Sequence, residues 1–420
     1  MKVLVVGSGG REHALTQKIA NSPLVDTIYC APGNGGTAKI AINVNLSAMD
    51  FNGLSEFAID NQIDLTVVGM DEPLVSGIVD VFKAKNLKIF GPSKAAALIE
   101  GSKAFSKDLM KKYNIPTAFY EVFYSQSDAL DYLKSCTYPI VLKADGLALG
   151  KGVLICNSFE EAADGVMRIM EEKEFGSAGD KLVIEEFMEG REVSVLAFCD
   201  GDTILPMTSA QDHKRAYDND LGPNTGGMGT FSPSPFYTKE IEAYCNECIY
   251  KPTIQAMKAE GREFVGILFV GLMLTKDGPK VLEYNARFGD PETQVVLPRM
   301  KNDIVPIFLA CIDKTLNVVQ LEFEDNAAVC VVLASNGYPK EYKTGFEISG
   351  LDNFDNKDYF AFHAGTKLVG DKIISSGGRV LGVTALGNDL VEARKNTYAA
   401  TDWVSFENKY MRNDIGKAIM

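Results

Sequence analysis

The sequence predicts a multidomain chain of the α/β and α+β classes, with a parallel sheet in its N-terminal part. At 420 residues the chain is too long for one ordinary core, so we expect two or three domains. Up to about residue 102, short β-branched runs alternate with helical patterns, which is typical of βαβ units. Longer strands, hairpins and glycine-rich loops follow, and the chain ends in a strand-rich segment.

These changes of pattern divide the chain into four segments. We expect a Rossmann-like N-terminal domain over residues 1–102 and a second domain over 103–296. A helical connector over 297–326 then leads to a C-terminal domain over 327–420. The predicted elements are strands at Lys2–Val6, Thr27–Cys30, Asp64–Val68, Lys88–Phe90, Val329–Ala334, Ala361–Gly365 and Gly378–Leu386, a connecting helix over about Val295–Leu316, and a closing helix near Asp389–Thr401.

Composition and charge narrow the class of partner. Hydrophobic residues make up 46% and charged residues 23% of the chain, which suits a globular protein with ample core material. The formal charge of −14, with no basic stripe to balance it, argues against a nucleic-acid partner. We expect small-molecule substrates, and anionic ones must be held by local lysines, arginines and backbone N–H groups.

The cysteines and the start of the chain indicate a cytoplasmic protein. The eight cysteines are scattered through apolar contexts, as free thiols are in a reducing compartment. Cys245 and Cys248 form one C-x-x-C in a helical pattern, and packing is favoured over zinc because no second pair is near. The chain begins directly in a strand, and no apolar run is long enough to span a bilayer. We therefore expect no membrane partner.

The most informative stretch is the predicted strand Val281–Asn285. Glu283 and Asn285 alternate in it with Leu282 and Tyr284. Successive side chains of a strand point to opposite faces, so the two oxygen-bearing side chains should face the same way and the apolar pair the other.

The surroundings of this strand favour a metal–nucleotide site. Arg287 follows two residues after Asn285, so it continues the alternation of Glu283 and Asn285, and a Gly-Asp-Pro loop comes next. A carboxylate and an amide beside a guanidinium suit a hard cation and the phosphate oxygens that it would bridge. The alternative is an exposed edge strand, which is disfavoured because the preceding strand, Phe264–Leu274, looks deeply buried.

The segment from Gly7 to Ala14 is a glycine-rich turn between the first strand and the first helix. It resembles a dinucleotide fingerprint, but Glu12 stands at the third glycine position and no acidic residue ends the second strand. A tight strand-to-helix turn is therefore favoured over NAD binding. Helix N-terminal amides together with Arg11 would also suit a small anion site for one phosphate.

A second glycine-rich loop joins two predicted strands and contains Gly146, Gly150 and Gly152. Glycines let backbone N–H groups approach phosphates, and Lys143 and Lys151 supply positive charge. The loop is not a Walker A motif, because Gly152 stands where Ser or Thr should follow the lysine. An ordinary mobile hairpin remains an equal alternative from this segment alone.

The segment Leu182–Val195 runs from one strand through an acidic link into another. Such a link could hold an adenine edge, with Glu192 placed for ribose hydroxyls, although acidic turns are often simply solvated. The long polar loop over Gln211–Gly229 lacks periodicity, which is typical of functional or disordered loops. Its Lys214-Arg215 pair and Gly226-Gly227 backbone would suit a sugar phosphate.

Taken in order, these segments resemble the ATP-grasp superfamily and, within it, the glycinamide ribonucleotide synthetases of purine synthesis. The resemblance covers essentially the whole chain and is most specific in the 211–229 loop and in Arg287–Glu292. It implies a pre-ATP-grasp N-terminal domain, an ATP-grasp domain with a lid subdomain over about 117–190, and the family's C-terminal domain. Asn219 stands where the family commonly has glycine, and asparagine can adopt the left-handed conformation there.

The resemblance implies ATP-dependent ligation of glycine to 5-phosphoribosylamine through a glycyl phosphate, by a monomer. Phosphoryl transfer needs positioning and charge neutralisation rather than a side-chain nucleophile, so the lack of a triad is expected. The resemblance assigns Glu283 and Asn285 to Mg²⁺ or Mn²⁺, Arg287 to the acyl phosphate and Asp290 to the incoming amine. It assigns to the ATP phosphates Lys103, Lys143, Gly146, Gly150, Lys151 and Gly152, and to the nucleoside Glu185, Glu186, Phe187 and Glu192. It assigns to the phosphoribosyl moiety Gly9, Gly10, Arg11, Asp212, His213, Lys214, Arg215, Asn224, Thr225, Gly226, Gly227 and Met228.

Three other functions compete with this one. An NAD-linked dehydrogenase would need the missing third glycine and the ribose-binding acid. A non-catalytic nucleotide-binding module would not explain Arg287 beside two metal-ligand side chains. Another ATP-grasp carboxylate–amine ligase, or a biotin carboxylase-like or formyl-transferring relative, would share the phosphate loop and metal strand. The loop after Gln211 favours phosphoribosylamine as the acceptor.

Overall fold

The N-terminal segment folds around a parallel sheet of five strands, as predicted. The computed structural model describes residues 1–147 and 152–417. The elements are β1 (Lys2–Gly7), α1 (Gly10–Ala20), β2 (Thr27–Pro32), β3 (Ile42–Asn43), α2 (Phe51–Asp60), β4 (Leu65–Val68), α3 (Asp71–Ser76), α4 (Ile78–Ala84), β5 (Ile89–Phe90) and α5 (Lys94–Gly101). Their strand order is β3-β2-β1-β4-β5, so the four predicted strands are confirmed and β3 is an addition at the edge. Alternate residues of β1 pack into two different cores, because both faces of the sheet are covered.

A small antiparallel sheet with its own core follows. Its elements are α6 (Lys103–Lys112), β6 (Tyr120–Phe123), α7 (Gln126–Leu133), β7 (Ile140–Ala144), β8 (Val153–Cys156), α8 (Phe159–Val166) and β9 (Leu182–Glu186), with strand order β6-β9-β7-β8. Side chains such as Leu133, Leu142 and Val166 form a cluster of their own between this sheet and its two helices, α7 and α8. The sheet lies within the residues expected to form the lid, and a separate core suits a unit that moves as one body.

The centre of the chain forms a second antiparallel sheet, ordered β11-β10-β16-β17. Strand β16 is buried along most of its length, as predicted, because it lies between β10 and β17. The elements of this part are β10 (Arg191–Asp200), β11 (Ile204–Pro206), β12 (Gln211–Asp212), β13 (Arg215–Tyr217), β14 (Leu221–Asn224), β15 (Gly229–Ser232), α9 (Lys239–Cys245), α10 (Lys251–Ala259), β16 (Val265–Thr275) and β17 (Gly278–Asn285).

The predicted single helix over Val295–Leu316 is wrong, because the connector consists of two helices. The first, α11 (Thr293–Val296), runs into a 3-10 turn and ends before Met300, which is extended and bridges Phe323. Asp303 then caps α12 (Ile304–Ile312) by accepting a hydrogen bond of 3.0 Å from Val305 N–H. A proline in the 3-10 turn and a new N-cap are therefore the signals that divide the apolar run.

The C-terminal sheet includes strands from the middle of the chain. Its order is β12-β15-β18-β22-β19, with β23 beside β18. The elements of this part of the chain are β18 (Ala327–Ser335), β19 (Tyr359–His363), β20 (Thr366–Val369), β21 (Lys372–Ser375), β22 (Arg379–Gly387), α13 (Leu390–Thr401) and β23 (Lys409–Tyr410), and β20 and β21 pair with each other in a separate two-stranded sheet. The predicted strands β18, β19 and β22 and the closing helix are confirmed. The sequence did not predict that β12 and β15, which flank the long polar loop, would pair within this sheet.

One apolar core joins the N-terminal, central and C-terminal parts. It contains Val3 and Val5 of β1, Phe198 of β10, Phe308 of α12 and Cys330 of β18. All eight cysteines are free, in agreement with the expected free thiols. Within residues 1–147 and 152–417, none of the helices has both the length and the apolar character needed to cross a membrane.

Candidate active site

A bulge in β17 decides which side chains face the candidate metal site. Gly271 pairs with Glu283 and Leu272 pairs with Val281, so Leu282 is an additional residue on this strand. A bulge re-aims the side chains that flank it. Beyond the bulge the pairing is regular, and Glu283 and Asn285 lie on one face, as predicted.

The bulge makes the predicted alternation wrong for Leu282. Tyr284 is buried in the core, but Leu282 does not join it. Leu282 packs instead against Ala118, Met188 and Met273, which form a small apolar cluster beside the lid sheet. The sequence analysis missed this cluster, because its members come from three separate segments.

Glu283 lies among positive charges. The Nζ atom of Lys214 is 3.4 Å from its Oε1 and 3.0 Å from Oε2 of Glu192. Lys214, followed by Lys143 and Lys103, outweighs the effect of burial and lowers the pKa of Glu283 to about 2. The carboxylate is therefore ionised at neutral pH, as a metal ligand must be.

Arg287 is held by a buried acid that the sequence analysis missed. Its Nη2 atom lies 3.3 Å from Oε1 of Glu100 and donates a hydrogen bond of 3.1 Å to Oδ1 of Asn285. The other oxygen of Glu100 accepts a hydrogen bond of 2.7 Å from Ala286 N–H. The Nε atom of Arg287 is buried without a hydrogen-bond partner. Glu100 lies in a helical pattern, which gave no signal of this role.

Glu185 lies between two lysines. Its oxygens are 2.9 Å from Nζ of Lys143 and 2.9 Å from Nζ of Lys107, and all three side chains are buried. Burial alone would raise the pKa of Glu185, but the two lysines outweigh it and hold it below its ordinary value. Lys107 also donates to Thr117, whose hydroxyl donates to the carbonyl of Val281. The cluster thus joins α6, the lid sheet and the metal strand.

The glycine-rich loop begins at Asp145, which is tied to the start of α6. Ser102 Oγ and Ala104 N–H both donate to this carboxylate, and Lys103 donates to the carbonyls of Ala144 and Gly146 at 3.0 and 2.7 Å. Lys103 is therefore placed beside the loop, as expected for a phosphate-binding lysine. Among the other predicted loop residues, Gly152 is buried, whereas Gly150 and Lys151 lie outside the described residues.

Of the residues expected to bind the nucleoside, Phe187 lies in the link between β9 and β10, Glu186 and Glu192 lie in the strands beside it, and Glu185 is buried between the two lysines. Oε1 of Glu186 accepts a hydrogen bond of 3.0 Å from Phe119 N–H, and the side chain of Phe187 is exposed. Met188 and Leu282 add apolar surface at the same place. The arrangement offers acidic groups and a flat apolar surface next to each other.

The long polar loop is held in shape by its own backbone. The backbone N–H and the hydroxyl of Thr225 both donate hydrogen bonds to the carbonyl of Lys214, at 2.8 Å each. Asn219 adopts the left-handed conformation, with φ of 60°, as predicted. Among the other residues predicted for the sugar phosphate, the ring of His213 hydrogen-bonds to the backbone of Gly229 and Gly416. The Arg215 side chain donates a hydrogen bond to the carbonyl of Gly222, and Arg215 and Asn224 are partners in the strand pairing. Met228 is buried.

Asp290 meets residues from three parts of the chain. Its carboxylate accepts a hydrogen bond of 2.8 Å from Nε2 of Gln294 and lies 3.3 Å from Nη2 of Arg379. A Cβ atom on Gly9 would lie 3.3 Å from its Oδ2 atom. Burial raises the pKa of Asp290, but Arg379 and Arg11 outweigh this effect and hold it below its ordinary value. Asp290 is therefore a stable anion and a weak base.

A second pair of acids lies nearby, of which Glu292 is buried and Asp212 is half-buried. Burial raises the pKa of both carboxyl groups, and the charge of Glu292 raises that of Asp212 further. Oε1 of Glu292 accepts a hydrogen bond of 3.1 Å from Ser194. Both carboxyl groups therefore hold a proton more readily than Glu283 and Asp290, whose pKa values are lowered.

In the N-terminal turn, Glu12 accepts hydrogen bonds from groups that were expected to bind an anion. It accepts hydrogen bonds from Gly9 N–H at 2.6 Å and from Arg11 Nε at 2.5 Å. Nη1 of Arg11 donates to the carbonyl of Phe288 at 3.2 Å. The residue that replaces the third glycine thus caps the helix through the N-cap backbone N–H and fixes Arg11 towards the Asp290 loop.

The donor set of β17 fits one hard cation. One ionised carboxylate and one amide oxygen, Glu283 and Asn285, share a face and are partly exposed. The described ranges contain no group of three His, Cys, Asp or Glu side chains that could hold an ion alone. A bound Mg²⁺ or Mn²⁺ would then take its remaining ligands from phosphate oxygens and water.

Taken together, these folds and contacts define an ATP-grasp ligase. A family model described as the phosphoribosylglycinamide synthetase ATP-grasp (A) domain matches residues 101–293, and models of the N and C domains of the same synthetase match 1–100 and 328–418. The chain belongs to the phosphoribosylglycinamide synthetase family.

Relatives along the full length agree with this membership. A phosphoribosylamine–glycine ligase from Clostridium acetobutylicum is 52% identical over 418 residues and covers 100% of each chain. A solved phosphoribosylamine–glycine ligase from Thermotoga maritima superposes with a TM-score of 0.83 at 33% identity, covering 99% of this chain and 100% of that one. The biotin carboxylase domain of 2-oxoglutarate carboxylase from Hydrogenobacter thermophilus shares the fold, with a TM-score of 0.73 at 16% identity over 98% of this chain and 91% of that one.

Proposed function

We propose that this chain joins glycine to 5-phosphoribosylamine at the expense of ATP, giving glycinamide ribonucleotide, ADP and phosphate. The observation that carries the proposal is the position of β17. Its Glu283 and Asn285, with Arg287 just beyond its end, lie between a lysine-lined phosphate side and an acceptor side that is formed by Asp290 and the long polar loop. Family membership supports the same reaction.

In the first step, a carboxylate oxygen of glycine attacks the γ-phosphorus of ATP. The bond to the bridging oxygen breaks, and ADP leaves with its electron pair. Lys103 and Lys143 neutralise the phosphates, and Arg287, whose Nε atom is buried without a partner, binds the new acyl phosphate. A bound Mg²⁺ or Mn²⁺ held by Glu283 and Asn285 would neutralise charge on the phosphate oxygens.

In the second step, the amine nitrogen of phosphoribosylamine attacks the carbonyl carbon of glycyl phosphate. The bond from that carbon to the phosphate oxygen breaks, phosphate leaves with the bonding electron pair, and the proton lost by the nitrogen passes to the departing phosphate. Asp290 orients the amine by accepting a hydrogen bond, because Gln294 and Arg379 keep it ionised and in place. The loop over 211–229 holds the phosphoribosyl group, and the turn at Gly9–Arg11 contributes through Gly10 and the donors of Arg11 that Glu12 does not use. The lid sheet excludes water from the acyl phosphate.

We further propose that the enzyme acts as a monomer in the cytoplasm, on small molecules, without nucleic-acid or membrane partners. Every side chain assigned above comes from one chain, so the site needs no second copy. The net charge of −14 supports the absence of a nucleic-acid partner.

The test is phosphate release by the purified full-length protein. Release is expected only when ATP, a divalent cation, glycine and phosphoribosylamine are all present. Hydroxylamine in place of phosphoribosylamine should trap the intermediate slowly as glycyl hydroxamate. Turnover that is equal with another acceptor amine or with bicarbonate would contradict the assignment.

A further inference from the structure

Arg379 reaches from the C-terminal sheet to the acceptor side of the site. It begins β22, and its guanidinium group contacts two segments of the central part of the chain. Nη1 donates to the carbonyls of Gly226 and Asp290, at 2.7 and 2.8 Å, and Nη2 lies 3.3 Å from the Asp290 carboxylate. One planar group thus fixes the Asp290 loop and the turn at Gly226–Gly227 relative to each other.

The packing around this guanidinium leaves little freedom. A Cβ atom on Gly226 would lie 3.0 Å from Cζ of Arg379. Gly227 has a φ of +113°, and a Cβ atom there would lie 2.5 Å from Cδ of Pro291 and 2.7 Å from Oδ1 of Asp212. The two loops are therefore in close contact at the point where Arg379 bonds to them, so a shift of one loop should displace the other.

We propose that Arg379 is a positioning residue for the acceptor half of the reaction. This inference rests on the proposed function, because it assigns Asp290 and the Gly226–Gly227 turn to phosphoribosylamine. Through these contacts Arg379 sets the distance between the group that orients the amine and the loop that holds the sugar phosphate. The hydrogen bonds and ion pair described for its guanidinium all go to these two segments, so formation of glycyl phosphate should not depend on it.

The chemistry of the contact requires arginine. Two nitrogens of one rigid plane serve two loops at once, whereas a lysine ammonium is a single point on a flexible stem. Arg379→Lys should therefore keep the charge beside Asp290 but lose part of the geometry, and Arg379→Met should lose both. Arg299 provides a control, because it is a buried arginine whose guanidinium donates to the carbonyls of Asn326 and Glu324 and to the hydroxyls of Thr208 and Ser232, none of which is assigned to the site.

The experiment compares two reactions of each full-length variant. Ligation is followed with phosphoribosylamine as the varied substrate, and formation of glycyl phosphate is followed by hydroxylamine trapping. For Arg379→Met we expect kcat/KM for phosphoribosylamine to fall by about tenfold to a hundredfold, the scale of a lost charged hydrogen bond. Trapping should change by less than about threefold, and Arg379→Lys should recover part of the loss. Arg299→Lys should leave both reactions unchanged and lower only the melting temperature.

Three outcomes would overturn the inference. If ligation and trapping fall together in Arg379→Lys and Arg379→Met, the residue supports the whole fold and not the acceptor side. If neither reaction changes, Arg379 has no positioning role. If the wild type releases no phosphate with ATP, a divalent cation, glycine and phosphoribosylamine, the proposed function fails first, and this result is separate because it does not involve any Arg379 variant.

Discussion

At the scale of single residues, charge decides the properties of the site. Glu283 is ionised because lysines surround it, and Asp290 is ionised because two arginines outweigh its burial. Lysine and arginine charges near Asp212 and Glu292 do not offset the effect of burial, so the pKa values of both carboxyl groups are raised. Carboxyl groups of the same types within one site thus have pKa values shifted in opposite directions.

Glu283→Gln should lose most of the ligase activity. The substitution removes the charge that binds a cation but keeps a neutral oxygen, so we expect kcat to fall about a hundredfold at ordinary Mg²⁺ concentration and to recover partly at high Mg²⁺. Steady-state kinetics as a function of Mg²⁺ measures this. Asp277→Asn, in the turn of the same hairpin, is the matched control and should be silent. Near-normal turnover of Glu283→Gln would remove Glu283 from the metal site.

His13 should make the stability of the protein depend on pH. Burial, followed by the charge of Lys39, lowers the pKa of His13 from 6.5 to about 4 in the folded chain. Between pH 4 and 6.5 the unfolded chain therefore binds more protons at this residue than the folded chain does. The free energy of unfolding should consequently increase as the pH rises from 4 to 6.5 and level off above. The contribution is about 3 kcal/mol at most.

Urea unfolding between pH 4 and 7.5 measures this slope. His13→Asn provides an acceptor in place of Nδ1, which accepts the 2.8 Å hydrogen bond from His363 N–H, but does not titrate. Its free energy of unfolding should depend less on pH than that of the wild type. An identical slope in both proteins would show that His13 does not cause it.

At the scale of elements, the bulge in β17 has the largest effect on function. It separates Leu282 from Val281 and Tyr284, which enter the core. We expect Leu282→Ala to raise the KM for ATP about fivefold while the free energy of unfolding changes by less than about 1 kcal/mol, because the side chain packs at the nucleotide side. Kinetics and thermal unfolding test this on the same samples.

Val281→Ala is the matched substitution on the core side. It should lower the free energy of unfolding by roughly 1–3 kcal/mol and leave the KM for ATP unchanged, because Val281 is fully buried in the core. If the two variants behave alike, the bulge does not divide the roles of these neighbours.

The limits of prediction from sequence are also visible at this scale. Strands β1, β2, β4 and β16 follow from their β-branched and apolar runs, because burial on both faces leaves a strong local pattern. The bulge in β17 leaves no such pattern, since it depends on how β16 pairs with it. Glu100 and Arg379 were missed for a similar reason: each acts on a loop far away in sequence, and only the tertiary fold brings them together.

At the scale of the whole molecule, Asn34 joins the N-terminal and C-terminal parts. Its Nδ2 donates to the carbonyls of Ser8 and His363 at 2.9 and 2.7 Å, and its Oδ1 accepts from Gly36 and Thr37 N–H groups at 2.8 and 3.0 Å. Because the bonds are buried, Asn34→Ala should lower the free energy of unfolding by about 2–4 kcal/mol. It should also raise the KM for phosphoribosylamine, since the Gly9 turn loses its support.

Asn302 offers a matched control for Asn34. Its side chain also bonds to two backbone groups, Gln320 O and Glu322 N–H, but it is exposed and stays within the connector. Asn302→Ala should cost less than about 1 kcal/mol and leave the KM for phosphoribosylamine unchanged. Equal losses in the two alanine variants, by chemical denaturation and kinetics, would contradict a joining role for Asn34.

The pairing of β15 with β18 bears on the order of events during synthesis of the chain. Residues 229–232 leave the ribosome well before residues 327–335, so the acceptor loop must wait for its partner strand. The lid sheet and its core are complete much earlier and involve only local segments. A nascent chain would therefore assemble its nucleotide end before its acceptor end. The acceptor side is then the last part of the site to form, because it is complete only after the strands of the C-terminal sheet have been made.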